Sequence, residues 1–475
     1  MRPTFLGFET ARKGMSASQK GLDITGQNIT NINTPGYSRQ RVDFVSSTLT
    51  VNSRLKASRV SVSGAGVDIS SIRQIRDAFL DTRFRSEFSS GAFYDKSMQL
   101  IGGIEGVINE LDGGLKTALS DVLSSLQDFS LKPDQSVHAN IVQASVKNIL
   151  QISRNYHVQL EKLGNQYSDE LSVSVSNTNQ LIVKIANLNE SIQSIRMSTN
   201  HGSDYSGQNE LLDQRNLLLD DLAQYGGIHV TDKKDGGVIV QFNDHVIIDG
   251  EHHDMINLTK THDQKVILRY QSTGDAVVSD HGSLMAMSEA INGETKLSKG
   301  IPYYQNQLDM FVKAFSDTVN TAFSDDMGDF IPLIEFDGTS FARDFNIASD
   351  WISNPDIILK SDADSLDNRH ILNLIIRLQD KIPIGSQLSS LSDFVDTLST
   401  SIGHDISYFH NRFEVSDAIL QDLQNRKDAA SAVSLDEEGA QLMVFDKAYK
   451  ATARLMTAMD EALDILINKT GLVGR

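Results

Sequence analysis

The chain has 475 residues, 43 Lys/Arg against 62 Asp/Glu, and a formal charge of −19. A surplus of acid on that scale argues against nucleic acid as a partner. With no cysteine, disulfide scaffolds, thiolate metal sites and cysteine nucleophiles are excluded. The charge is uneven: residues 1–90 hold 13 Lys/Arg against 7 Asp/Glu, a net of +6.

Only 7 prolines occur, and none lies between Gly36 and Lys132, between Asp134 and Ile301, or after Pro383. Proline removes a backbone donor and clashes with the preceding turn, so long helices are allowed over most of the chain. No apolar run reaches the ~18 residues of a membrane span. The short apolar patch after Arg2 ends at Glu9, so no cleaved signal peptide is expected.

In chain order, Phe8, Ala11, Met15, Ser18, Leu22, Thr25 and Ile29 recur at steps of three and four. That spacing predicts a helix with one seam, narrow enough for close packing. In the segment Asn31 to Tyr37, Pro35 and Gly36 suit the two central positions of a type II turn. Arg41 to Val51 and Val60 to Ile72 read as strands. Helix then runs from near Ile75 to about Tyr225, with a stripe of Leu181, Ile185, Leu188, Ile192 and Ile195. This is the pattern of long antiparallel helices in a bundle.

At Gly226-Gly227 the period changes. Short β-type runs over residues 226–283 are separated by Asp235-Gly236-Gly237 and Asp249-Gly250. Glycine turns bound this insertion, so its excision is expected to be tolerated. Helix resumes from about Tyr303 to Phe323, residues 324–370 are mixed, and helix returns from about Arg369. Ser434 and Glu437 have capping-box spacing. After them Leu435, Leu442, Phe445, Tyr449, Met456, Met459, Leu463 and Leu466 keep a heptad register, with Glu438 and Thr452 in its two gaps. Neither terminal seam has an obvious partner in a compact domain, so the two terminal helices are expected to pair and copies of the pair to pack together.

The expected fold is therefore mainly α with a β-rich insertion, in discontinuous nested domains. Residues 1–40 and 432–475 form a terminal coiled-coil domain, 41–225 and 284–431 a helical-bundle core, and 226–283 an outer β-rich domain. Sites with chemistry are few. Asp362, Asp364 and Asp367 suggest a calcium loop, but its sixth and twelfth positions hold Asp367 and Asn373 instead of glycine and glutamate. Glu251-His252-His253-Asp254, near His245, has metal-ligand residue types in a surface turn. No phosphate-binding glycine loop, HExxH or GxSxG occurs. No catalytic residue, metal or cofactor is expected.

Asn28-Ile29 with Asn33-Thr34-Pro35-Gly36-Tyr37-Ser38-Arg39-Gln40 resembles the N-terminal signature of the bacterial flagellar axial proteins, the family of rod, hook and hook-associated proteins. Ser434 to Glu438, Phe445, Ala448-Tyr449, Ala453-Arg454 and Asp460-Glu461 resemble its C-terminal signature. Asn209-Glu210-Leu211-Leu212-Asp213-Gln214-Arg215, Ile185 to Asn189, and His281-Gly282-Ser283-Leu284 with Tyr304-Gln305 and Leu308-Asp309 are similar to the branch that joins hook to filament. The stretch 324–344 departs from that branch's glycine-rich pattern.

The resemblance implies a structural adapter, not an enzyme, exported unfolded through the flagellar type III system to the hook–filament junction. It implies a ring of about eleven subunits contacting the hook protein and a second hook-associated junction protein, and required for filament assembly. Phe8, Met15, Leu22, Asn28, Ile29, Asn33, Thr34, Pro35, Gly36, Tyr37 and Arg39 would form the N-terminal signature and assembly seam. Leu435 to Leu466 of the heptad series would form the C-terminal seam and also bind a cytoplasmic export chaperone. Another axial protein of hook or rod type, or a secreted coiled-coil adhesin, are the alternative readings.

Overall fold

The computed structural model describes residues 4–47, 66–108, 114–198, 206–261, 265–296, 298–323, 332–338, 340–358, 360–362, 365–367 and 369–469. The N-terminal helix α1 (Thr4–Thr30) leads into an antiparallel hairpin of β1 (Gln40–Ser46) and β2 (Val67–Gln74), bulged between Asp43 and Phe44. Parts of both expected strands, residues 48–65, lie outside the described residues. The hairpin covers one face of α1, where Ile24, Val42 and Ile72 form a small apolar cluster of their own.

Four helices follow: α2 (Ala78–Ile108), α3 (Leu115–Leu131), α4 (Ser136–Ser198) and α5 (Ser206–Ala223). In α3, Leu115, Ala118, Leu119, Val122, Leu126 and Phe129 are buried at steps of three and four. In α4 the same steps run from Ala139 through Val146, Ser153, Leu160, Leu171 and Thr178 to Ile192, all buried. At 1.5 Å per residue its 63 residues make a helix of roughly 95 Å. The buried line uses Ile182, Ile185, Asn189 and Ile192, whereas Leu181, Leu188 and Ile195 are half-buried.

The insertion forms an antiparallel four-stranded sheet in the order β3 (Ile228–Asp232), β4 (Val238–Phe242), β5 (His245–Asp249) and β6 (His252–His253). Beside it stands the hairpin of β7 (Ile256–Lys260) and β8 (Val266–Tyr270). Alternation sets which side is covered: in β4, Val238, Val240 and Phe242 are buried while Ile239 and Gln241 are half-buried. These strands have no separate core. Their buried residues belong to one apolar cluster with Leu284, Tyr304, Phe311 and Phe129 of the helical body. Entry and exit are stitched together, since Ser283 N–H donates to Gln224 C=O at 3.0 Å. Gly282, with φ of +85°, lies so close to Tyr225 and Gly226 that a Cβ would fall 2.3 Å from Tyr225 O.

The chain returns through α6 (Ser283–Asn292) and α7 (Ile301–Ala322). Small pieces follow: β9 (Ile334–Phe336), α8 (Phe341–Asp344), β10 (Phe345–Ile347), α9 (Ser349–Ser353), β11 (Lys360–Asp362) and β12 (Ser365–Asp367). Phe336, Phe341 and Phe345 close over one another with ring centroids 4.4–5.4 Å apart. Of the stretch that departs from the junction branch, 324–331 and Thr339 lie outside the described residues. Then come α10 (Arg369–Gln379), the β13 (Ile382–Ile384) and β14 (Gln387–Ser389) hairpin, and α11 (Leu391–Ser431), which packs along α2. The last helix, α12 (Leu435–Asp464), ends in a π turn at Ile465–Lys469. No helix among the described residues is long and apolar enough to cross a membrane.

Candidate assembly site

The two ends of the chain pack antiparallel, and glycine sets the spacing. A Cβ on Gly7 would lie 2.5 Å from Met459 Cε, one on Gly14 2.9 Å from Thr452 Cγ2, and one on Gly21 2.7 Å from Phe445 Cδ1. The next heptad position on α1 is Asn28, whose Nδ2 donates to Glu438 Oε2 at 3.0 Å. The contact line on α1 therefore runs one residue before the expected seam. Phe8, Met15, Leu22 and Ile29 are half-buried and flank it, while Ala11, Ser18, Thr25 and Asn28 are buried. The reason is steric: bulky α12 side chains need a bare backbone opposite them.

On α12, Phe445, Tyr449, Met456, Met459 and Leu463 are half-buried. Leu435 (56% exposed), Leu442 (39%) and Leu466 (51%) stand in solvent. So do Met443, Val444, Leu455, Ile465 and Ile467, which a strict heptad reading passes over. Phe445 also meets Phe44 of the hairpin, ring centroids 6.0 Å apart.

The signature after α1 builds a polar hub. Tyr37 N–H donates to Thr34 C=O at 3.2 Å and Gly36 has φ of +76°, as a type II turn at Pro35-Gly36 requires. Asn33, Thr34, Pro35 and Gly36 are exposed. Asn28, 1% exposed, satisfies its whole amide. It donates to Gln40 C=O (2.9 Å) and Glu438, and accepts from Gln40 N–H (3.0 Å) and Tyr37 O–H (2.8 Å). Glu438, 2% exposed, also accepts from Arg39 Nε at 2.7 Å. Arg39 Nη1 reaches Glu437 at 2.5 Å. Burial works against the Arg39 charge, yet these two carboxylates hold its guanidinium above the usual range. Ser434 precedes α12 without a side-chain capping bond, which corrects the expected capping box: Glu437 is turned toward Arg39 instead.

The motif on α5 carries the hub into the body. Asn209 donates to the Gln40 side chain at 3.0 Å, and its C=O accepts from Gln74. Six residues on, Arg215 Nη1 donates to Asn189 of α4 (2.9 Å) and to Gly236 C=O of the insertion (2.8 Å). Burial brings the Arg215 guanidinium down to about 10. Between them Asp213 is 7% exposed and neither of its oxygens closes a hydrogen bond. Its nearest cation, Arg76, stands 3.9 Å away. Burial pushes the Asp213 carboxyl up to about 6, with Ser38 and Arg76 pulling it back and Glu210 adding to the rise. Burial, with Asp213, Glu438 and Glu210, also raises the Tyr37 hydroxyl. Below the hub an ionic chain ties three helices: Arg76–Asp81 at 2.9 Å, Lys427–Asp220 at 2.7 Å and Arg85–Asp220 at 2.7 Å.

No group of three His, Asp or Glu among the described residues is placed to hold a metal ion. His245 Nε2 and Ser272 Oγ both bond Asp254 Oδ2, at 3.1 and 2.5 Å, so the carboxylate is a staple between β5 and the β8 end. Asp364 of the calcium-like segment lies outside the described residues. The signatures included Gln40 and Glu438 without giving either a role, and the seam glycines were missed. Their signal was the heptad spacing of Gly7, Gly14 and Gly21, invisible to a search for apolar side chains.

Comparison with known proteins separates the same two regions. Residues 101–329 match the family model of the helical domain of the flagellar hook-associated protein FlgK, a match that runs through the β insertion. Residues 8–37, α1 and its turn, match the flagella basal body rod protein family. Flagellar hook-associated protein 1 of Bacillus subtilis is 29% identical over the full length of both chains. That of Escherichia coli is 22% identical over 97% of this chain and 99% of its own. A solved structure, the flagellar hook junction protein FlgK from Burkholderia pseudomallei, aligns over 51% of this chain and 44% of its own with 18% identity and a TM-score of 0.44. A terminal signature matched at one end, a helical domain matched in the middle and relatives aligned from end to end converge: the chain is similar throughout its length to flagellar hook-associated protein 1, a structural component of the bacterial flagellum.

Proposed function

We propose that the protein is the adapter of the hook–filament junction, assembling as a ring of about eleven subunits between the hook protein and a second hook-associated protein. In this reading residues 1–40 and 432–475 line the inside of the assembled axis. The helical core and the insertion at 226–283 lie outside them. The observation that carries it is the exposed apolar surface of the terminal helix pair. Glycine contacts seal one narrow line between α1 and α12, while Leu435, Leu442, Met443, Val444, Leu455 and Leu466 remain in solvent. So many large apolar side chains exposed on one helix are costly unless neighbours cover them.

The same stripe accounts for a cytoplasmic export chaperone, which would lay the α12 helix in a groove before secretion. Removing residues 435–475 should then abolish chaperone capture. The assembly test is Leu463→Asp/Leu466→Asp. Each leucine buried in the axis contributes roughly 1.5–3 kcal/mol, and a charge in its place costs more. Leu466 is half exposed and Leu463 half-buried near the end of α12, so the monomer should lose little stability. The variant should be secreted yet leave hooks without filaments in electron micrographs. Normal filaments, or a monomer that melts much earlier, would refute the assignment of this surface to assembly.

A further inference from the structure

We propose that Glu438 is a positioning residue that fixes the register of the α1–α12 pair, because its carboxylate meets Asn28 and Arg39 in only one of the heptad-spaced alignments that the glycine sites allow. The glycine sites are interchangeable. Gly7, Gly14 and Gly21 each offer bare backbone to one α12 side chain, at a constant spacing of seven residues. Thr452 and Phe445 would each find the next glycine after α12 slides outward by one heptad, about 10 Å, while Met459 would pass beyond Gly7. The connection at 432–434 does not forbid it, since unwinding the first turns of α12 frees enough chain to span that distance. Packing at the glycines therefore separates the two alignments only by the Met459 contact.

The polar contact does choose. In the observed alignment Glu438 is 2% exposed and takes hydrogen bonds from Asn28 Nδ2 and Arg39 Nε. One heptad out, with the first turns of α12 unwound, it would be drawn away from both donors. Arg39 would lose the better-buried of its two carboxylates. A buried polar group that is satisfied in one alignment and stranded in the next is the best-attested device for fixing register between helices.

The chain has no cysteine, so introduced pairs report without background. A Cβ on Gly14 would stand 3.8 Å from Thr452 Cβ, within the span of roughly 3.5–4.5 Å that a disulfide bridges. Gly14→Cys/Thr452→Cys thus reports the observed register, and Gly7→Cys/Thr452→Cys reports a slide of one heptad. With Glu438 intact, only the first pair should cross-link under mild oxidation. Adding Glu438→Leu should raise cross-linking of the second pair about ten-fold, the scale of one hydrogen bond to a charged group, with helicity falling by no more than the first turns of α12. Glu438→Gln, which can still accept one of the two bonds, should keep the first pair dominant. If Glu438→Leu leaves the second pair at background, the proposal is wrong. If both pairs stop cross-linking while helicity falls, Glu438 merely holds the helices together, and the proposal is equally overturned.

Discussion

Replacing Asp213 by Asn should stabilise the protein near neutral pH, and the structure sets the size of the gain. Asp213 is 7% exposed, accepts no hydrogen bond, and titrates near 6 in the folded chain against an ordinary value of 3.8. Between those two values the folded state holds a proton that the unfolded state has released. Stability contributed by this group therefore falls as pH rises from about 3.8 to about 6, and stays low above that. At 1.36 kcal/mol per pH unit the deficit at pH 7.5 is at most about 3 kcal/mol. An amide removes the charge, but it leaves Arg76 without an anion 3.9 Å away. The expected net gain is about 1–2 kcal/mol at pH 7.5, shrinking as the pH falls toward 4. Urea unfolding of wild type and Asp213→Asn across that range measures it, with the single tryptophan, Trp351, buried in the body, as the probe. A variant less stable at pH 7.5, or a gain equal at both ends of the range, would show that Asp213 is not a desolvated charge.

Two further outcomes follow from packing. A Cβ on Gly26 would meet no atom within 4 Å, so Gly26→Ala should stabilise α1 by about 0.5–1 kcal/mol through helix propensity. Gly21→Ala should instead lower the melting point, because its methyl group would lie 2.7 Å from the Phe445 ring; circular dichroism melts separate the two. Replacing residues 228–280 with a short linker should destabilise the body, since it strips Val240, Phe242 and Leu268 from a shared core. Phe242→Ala alone should cost about 3–5 kcal/mol, and an unchanged melting temperature in both variants would show the insertion to be independent.

Periodicity made the helices legible, because three/four spacing and a single proline, Pro133 at the break between α3 and α4, leave little else for residues 78–223 to become. The Pro35-Gly36 turn was equally readable, since only glycine accepts its third angle without strain. The α1 seam was misplaced by one residue for a physical reason. Burial there follows closeness of approach, and glycine brings backbone to ring without any apolar side chain of its own. The Glu437 contact was hidden because a capping bond and an ion pair compete for one carboxylate, and Arg39 lies 398 residues away in the chain. Short β-type runs and their glycine turns marked the insertion, but not that its buried residues share one core with the helices of the body.

The 63-residue α4 has a mechanical consequence. It touches α3, α5, α6 and α7 as well as β5, β7 and β10, so nearly every part of the body is fastened to one rod. A load applied near either end travels along an unbroken ladder of hydrogen bonds and covalent backbone, not across loops. Bending is then left to the junctions where the rod stops, above all the hub around Asn209 and Gln40, where the terminal helices join. A molecule built on such a rod would carry a twisting load with little internal give and yield first at that joint.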